Sequence, residues 1–168
     1  MFSSGSSHRT SNVVNQTLLL LRQLVPYIKH RISKILGAMT IFSKIIAGEI
    51  PSYKIAESDK FFAFLDIFPL VEGHVLVVPK KEIDNLFDLP EDFLSEILVF
   101  AKPIAKAIEK AFDCNRCGIS VVGLEVPHAH IHLVPINSAD DLNFTRGKIR
   151  LSPDQLKKAQ EKIVSQLS

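Results

Sequence analysis

The sequence predicts an α+β domain, an antiparallel sheet of about five strands covered by one long helix, set behind an N-terminal extension. Three observations predict it. After residue 50, short apolar or alternating runs bounded by Gly, Pro and polar clusters recur, the pattern of strands joined by turns. Residues 89–112 instead repeat their apolar side chains every three to four positions, the helical period. The composition also changes near residue 38: Arg9, Arg22, Lys29, Arg31 and Lys34 precede it with no acid, which leaves 15 of the 20 basic residues against all 18 acidic ones in the remainder.

A chain of 168 residues, 46% of them hydrophobic, can bury one sizeable core without help from metals or bridges. The slightly acidic body lacks the broad basic face that a nucleic-acid polymer requires, so a small-molecule ligand is expected. Cys114 and Cys117 are the only cysteines. That count excludes a disulfide framework, and a lone C-x-x-C with no second pair reads as two ordinary thiols in a reducing compartment, the cytoplasm.

Residues 1–38 form a separate segment. Ser3, Ser4, Ser6 and Ser7 open it, and Leu18, Leu21, Val25, Ile28, Ile32 and Ile35 then recur at steps of three and four, an amphipathic basic helix interrupted by Pro26. Its apolar run is too short for a bilayer, which takes about 20 residues, so no membrane span is expected. Two readings stay open: a transit or membrane-surface segment that would make the protein organellar, or a disordered extension ahead of a working protein that begins at Met39.

The second segment, residues 39–168, begins with a short helix near residues 41–47. Gly48 follows it, the residue type that best tolerates the left-handed position after a helix. Pro51 releases the chain into strands at residues 53–57 and 61–65, joined by a turn at Ser58, Asp59 and Lys60, and at 74–78, bounded by Gly73 and Pro79. The long helix carries Phe93, Ile97, Phe100, Ile104, Ile108 and Ala111 on one stripe, with Pro103 inside it. Strands are expected at 118–122 and 128–134. A terminal helix starts at Ser152, an N-cap residue type, with Pro153 at its first position.

The stretch Val126-Pro127-His128-Ala129-His130-Ile131-His132-Leu133-Val134-Pro135 alternates. On a strand, His128, His130 and His132 line one face about 6.6–7 Å apart, while Ala129, Ile131 and Leu133 enter the core. One strand histidine is usually structural. Three in a row can divide attack, orientation and proton transfer, because a neutral imidazole is a nucleophile at one nitrogen and a hydrogen-bond donor at the other.

The pattern His-φ-His-φ-His-φ-φ, with φ apolar, resembles the signature of the histidine-triad (HIT) family, in particular its nucleotide-binding branch. The resemblance extends to residues 41–51, to Phe64-Leu65-Asp66-Ile67 and to residues 73–81 in the same order, most of residues 39–136. It implies a HIT-like fold and a hydrolase or nucleotidyl transferase acting at the α-phosphate of a purine nucleotide, with no cofactor and no metal. His130 would attack phosphorus and carry the nucleotidyl group; His132 would donate to a phosphate oxygen; His128 and His74 would orient His130. Asp66 would accept from the ribose hydroxyls, and Ile41, Phe42, Ile45, Phe64, Leu65 and Ile67 would form the base slot. A homodimer is implied as well.

One loop departs from the family pattern. Phosphoramidase relatives place an Asn after the preceding strand and a longer Gly-rich loop with Gln and Ser before the triad, where this chain has Gly123-Leu124-Glu125-Val126-Pro127. Glu125 would therefore serve the leaving group or water as an acid or base. The C-terminus is long and helical, where some relatives end in a short aromatic tail, and Arg146, Lys148 and Arg150 precede it as a solvated stretch or a polyphosphate contact. Two other readings stay open. One is a nucleotide-binding or signalling module without turnover, and the other a metal site built from His74 and the triad.

Overall fold

A computed structural model describes residues 39–167, so both readings of residues 1–38 lie outside the described residues. The unit Thr40–Ser168 is compact. It opens with α1 (Ile41–Ile46), whose N-terminus is capped by the Thr40 side chain accepting from the Ser43 amide, and which Gly48 leaves at φ +77°. Strands β1 (Lys54–Glu57), β2 (Phe61–Leu65) and β3 (Val75–Pro79) form an antiparallel meander. After a 3₁₀ turn, α2 (Glu91–Ala111) runs back along the sheet, continuous through the outward-facing Pro103. Strands β4 (Arg116–Ser120) and β5 (Ile131–Ile136) complete the sheet, in the order β1-β2-β3-β5-β4, and α3 (Pro153–Val164) ends the domain behind the Ser152 cap. Among the described residues no helix is long and apolar enough to cross a membrane.

The pleat divides the sheet into two faces. Ile55, Phe61, Ala63, Leu65, Val75, Val77, Ile131 and Leu133 point to one, where Ile97, Ala101, Ile104 and Ile108 of α2 and Leu156, Ala159 and Ile163 of α3 cover them. Phe62, Phe64, Leu76 and Val78 point to the other, covered by Phe42 of α1. Phe93 and Phe100 belong to the first face, both against the ring of Phe61.

Four strands are displaced from their expected positions; β1 starts at Lys54 rather than Tyr53, next to the irregularity in its pairing with β2, and the other three shift for reasons visible in the ladder. β3 starts one residue late because the His74 amide donates to the Val71 carbonyl of the preceding turn, so that His74 keeps only the bond its carbonyl accepts from the Asp66 amide. β4 starts two residues early, since Arg116 and Cys117 pair with Ile136 and Pro135. β5 begins at Ile131 rather than His128. The Pro79 carbonyl, where the ladder would continue, accepts from the His128 ring, and the His128 and Ala129 amides turn to Val126 and Ile83. His128 thus sits in a bend before the strand, and Ala129 still enters the core.

Gly73 precedes β3 at φ +89°, where a Cβ would lie 2.5 Å from the Phe112 ring. Gly73→Ala meets both a disfavoured backbone and a clash, and is expected to cost about 2–3 kcal/mol. Urea unfolding of the variant checks this. Repeating it in a Phe112→Leu background should recover part of the loss, and an unchanged midpoint in the first experiment would refute the steric account.

Candidate active site

Four imidazoles gather on the sheet face beneath α1, every one of them buried. His128 follows the turn at Pro127, His130 lies at the mouth of β5, His132 lies within β5, and His74 sits just ahead of β3, which pairs with β5. The ring centroids of His130 and His132 are 4.9 Å apart and those of His132 and His74 are 5.1 Å apart. Alternation places His130 and His132 together. The β3–β5 pairing, which sequence spacing does not express, brings His74 to them.

Hydrogen bonds to groups of fixed polarity settle the neutral tautomer of each ring. His130 Nδ1 lies 2.7 Å from the His128 carbonyl, which only accepts. The proton is therefore on Nδ1 and His130 Nε2 carries a free lone pair. Leu70 N–H donates to His74 Nδ1 at 3.2 Å, so His74 Nε2–H donates to His132 Nδ1 at 2.9 Å. His132 then keeps its proton on Nε2. His128 Nε2–H donates to the Pro79 carbonyl and its Nδ1 accepts from the Thr40 hydroxyl, both at 2.8 Å. The row thus combines one bare nucleophilic nitrogen with a neighbouring ring that keeps one N–H donor.

Burial keeps these rings neutral. It pushes His74 down to about 4 and His132 down to about 3, and it lowers His128 and His130 as well. Asp66, 3.7 Å from His74 Nδ1, acts the other way on His74 but is outweighed by desolvation. Phe42 sets its ring against both His130, at 5.2 Å, and His128, at 5.9 Å.

The expected base-slot residues divide. Phe42 and Phe64 meet edge to face at 5.5 Å in the site-side cluster, with Ile45 packed against it. Ile41 and Ile67 are exposed. Leu65 points the opposite way, into the core under α2, because it alternates with Phe64 along β2. Asp66 ends β2 beside His74, one carboxylate oxygen accepting from the Phe68 amide. Glu125 is solvent-exposed and paired with Lys148 at 2.9 Å.

Ligand-type groups also cluster differently from the metal reading. Asp66, His74 and His132 come within 4.8 Å of one another, and they include a carboxylate that the sequence did not place there. Both nitrogens of His74 are already hydrogen-bonded, so an ion would have to break those bonds.

Several neighbours escaped sequence reasoning. Thr40 and Ser43 on α1 tie His128 to Glu82: the Thr40 amide donates to the Glu82 carboxylate at 3.1 Å and the Ser43 hydroxyl donates to the same oxygen. Phe144 packs edge to face on His132 at 4.7 Å. Its signal was a lone aromatic in the polar run Asp140–Lys148.

A five-stranded α+β domain that presents a triad of neutral histidines, one with a bare ring nitrogen, defines a histidine-triad protein. The comparisons agree. The family model described as HIT domain matches residues 47–139. An uncharacterized HIT-like protein of Borreliella burgdorferi is 37% identical over 131 residues, 73% of this chain and 94% of that protein. The adenosine 5′-monophosphoramidase HNT1 of Candida albicans is 34% identical over 141 residues, 78% of this chain and 93% of that one. The crystal structure of a HIT-like protein of Bartonella henselae superposes with a TM-score of 0.67 at 32% identity, covering 76% of this chain and 96% of the other. The chain belongs to the HIT family.

Proposed function

We propose that this protein cleaves the α-phosphate linkage of a purine nucleoside phosphoramidate or a dinucleoside polyphosphate through a nucleotidyl group carried on His130 Nε2. It is a HIT-type nucleotide hydrolase, as its phosphoramidase relatives are named. The observation that carries the mechanism is the bond from His130 Nδ1–H to the His128 carbonyl, which leaves Nε2 unprotonated and unpartnered. Attack forms the N–P bond and expels the amine, which leaves with a proton from solvent, or, from a dinucleoside polyphosphate, the remaining nucleoside polyphosphate. His132 Nε2–H stabilises the charge growing on a phosphate oxygen. Water then breaks the N–P bond, releasing the nucleoside monophosphate and restoring the imidazole. His128 and His74 act by position. The base rests against Phe42, Phe64 and Ile45, with Ile41 and Ile67 at the rim, and the Asp66 carboxylate receives the ribose hydroxyls.

Mixing the protein with adenosine phosphoramidate or diadenosine tetraphosphate and quenching in alkali tests this. One AMP moiety should appear on the peptide containing His130, together with free AMP. Binding without release of AMP would make the protein a nucleotide-binding module instead, and an adduct on another residue would displace His130.

The same reading takes the chain as a cytoplasmic homodimer. Cys114 and Cys117 are free, and burial pushes the Cys117 thiol up to about 12, so it stays protonated and inert. At the sheet edge β4 and the loop after it expose Ile119 and Val121, and α2 exposes Leu98 and Val99, apolar surface suited to a second copy. Sedimentation should give twice the 18.8 kDa chain mass.

A further inference from the structure

We infer that Lys148 forms an anion subsite for the phosphate beyond the α-phosphate, with Glu125 as its placeholder, so that the preferred substrates carry a polyphosphate leaving group. The inference rests on the nucleotide reading above and adds to it the class of leaving group. It starts from the segment between β5 and α3, which lies across one side of the site. Phe144 packs on His132 at 4.7 Å and on His74 at 6.5 Å, and the Ile149 amide donates to the Pro69 carbonyl at 2.9 Å, one residue from the Leu70 amide that bonds His74. Lys148 is thus anchored by its neighbours over the His74 and His132 side.

From there its ammonium reaches both carboxylate oxygens of Glu125, at 2.9 and 3.2 Å. Glu125 belongs to the loop that leads into the triad. The charges register on the rings beneath: the Lys148 ammonium disfavours protonation of His74 and His132, while the Glu125 carboxylate favours that of His130. The ion pair therefore belongs to the surroundings of the nucleophile and the phosphate-donating ring, next to Phe144, which packs on His132.

Two arguments make the pair exchangeable. Its side chains are 35% and 76% exposed, and a solvent-screened pair of this kind holds together only weakly, so a multiply charged phosphate can displace the carboxylate. The site also needs a cation. Its four imidazoles are neutral, and the loop Gly123-Leu124-Glu125-Val126-Pro127 offers no side-chain amide or hydroxyl to a phosphate chain. Of the other basic residues on the segment, Arg146 is held by Asp140 at 2.8 Å.

Calorimetry on the full chain with ADP and AMP tests the subsite without requiring turnover. The wild-type protein should prefer ADP. Lys148→Met should reduce the ADP-to-AMP affinity ratio about tenfold, Lys148→Arg should restore most of it, and Glu125→Gln should raise it several-fold by freeing the ammonium. A purely structural ion pair predicts that Lys148→Met and Glu125→Gln shift the ratio in the same direction. That result, or a ratio insensitive to Lys148, overturns the subsite and leaves the nucleotide reading intact. Failure of the wild-type protein to bind either nucleotide overturns both.

Discussion

His130→Ala is expected to lower kcat on the order of 10⁴-fold, about 5.5 kcal/mol of transition-state stabilisation, while nucleotide affinity changes by only a few-fold. The asymmetry follows from what the side chain touches. Its Nδ1–H is spent on the His128 carbonyl, its ring edge meets Phe42, and its Nε2 is the atom offered to phosphorus. Alanine removes the attacking atom and leaves in place the Phe42–Phe64 contact, Asp66 and His132. Steady-state kinetics with adenosine phosphoramidate and calorimetry with AMP separate the two effects. Added imidazole should recover part of the rate by entering the vacated space. A variant within tenfold of wild type would remove His130 as the nucleophile, whatever else the site binds. The acid limb of the wild-type rate should also fall below the usual imidazole range, because burial lowers the His130 pKa.

What was legible in the sequence is what repeats within one element. The three-to-four spacing from Phe93 to Ala111 reports which side chains share a helix face, and α2 follows it, whereas the uniformly apolar run 61–65 marks β2 as a strand without showing which side chains face which way. The same logic placed His130 and His132 side by side. It misplaced the start of β5, because nothing in the local pattern shows that the His128 ring takes the Pro79 carbonyl from the ladder, 49 residues away. It also grouped Leu65 with Phe64, although a strand must send neighbours to opposite faces; the resemblance outweighed the period there. Thr40 meets His128 across 88 residues and Ser43 meets Glu82 across 39, contacts made by the fold. Glu125 and Lys148 were each noticed, but only the fold pairs them. His74 joined the site through the family resemblance alone. The β3–β5 register now supplies its physical reason.

The same buried rings that supply a bare nitrogen should make the domain acid-labile, losing several kcal/mol of stability between pH 6.5 and 4.5. The sign follows from pKa values lowered by folding: to about 4 for His74 and about 3 for His132, against about 6.5 in an unfolded chain. Above pH 6.5 neither state binds these protons and the two groups contribute nothing to the pH dependence. Below it, the unfolded chain takes up protons that the native state refuses until pH reaches the lowered values. Each group then costs about 1.36 kcal/mol per pH unit, so the pair approaches about 2.7 kcal/mol per unit near pH 5, and His128 and His130 add in the same direction. Against a total of about 5–15 kcal/mol for an ordinary domain, this is a large share of the stability. The lowered carboxylates of Glu57 and Asp92 are exposed ion-pair members and act only at lower pH, so they do not account for a loss that starts above pH 5. Urea unfolding at pH 7.5, 6.0 and 5.0 measures the slope. His132→Asn, less stable at pH 7.5, should show a slope shallower by one proton. An unfolding free energy that stays level from pH 7.5 to 5.0 would mean that the four imidazoles are not held neutral by burial, and the tautomers that expose His130 Nε2 would lose their physical basis.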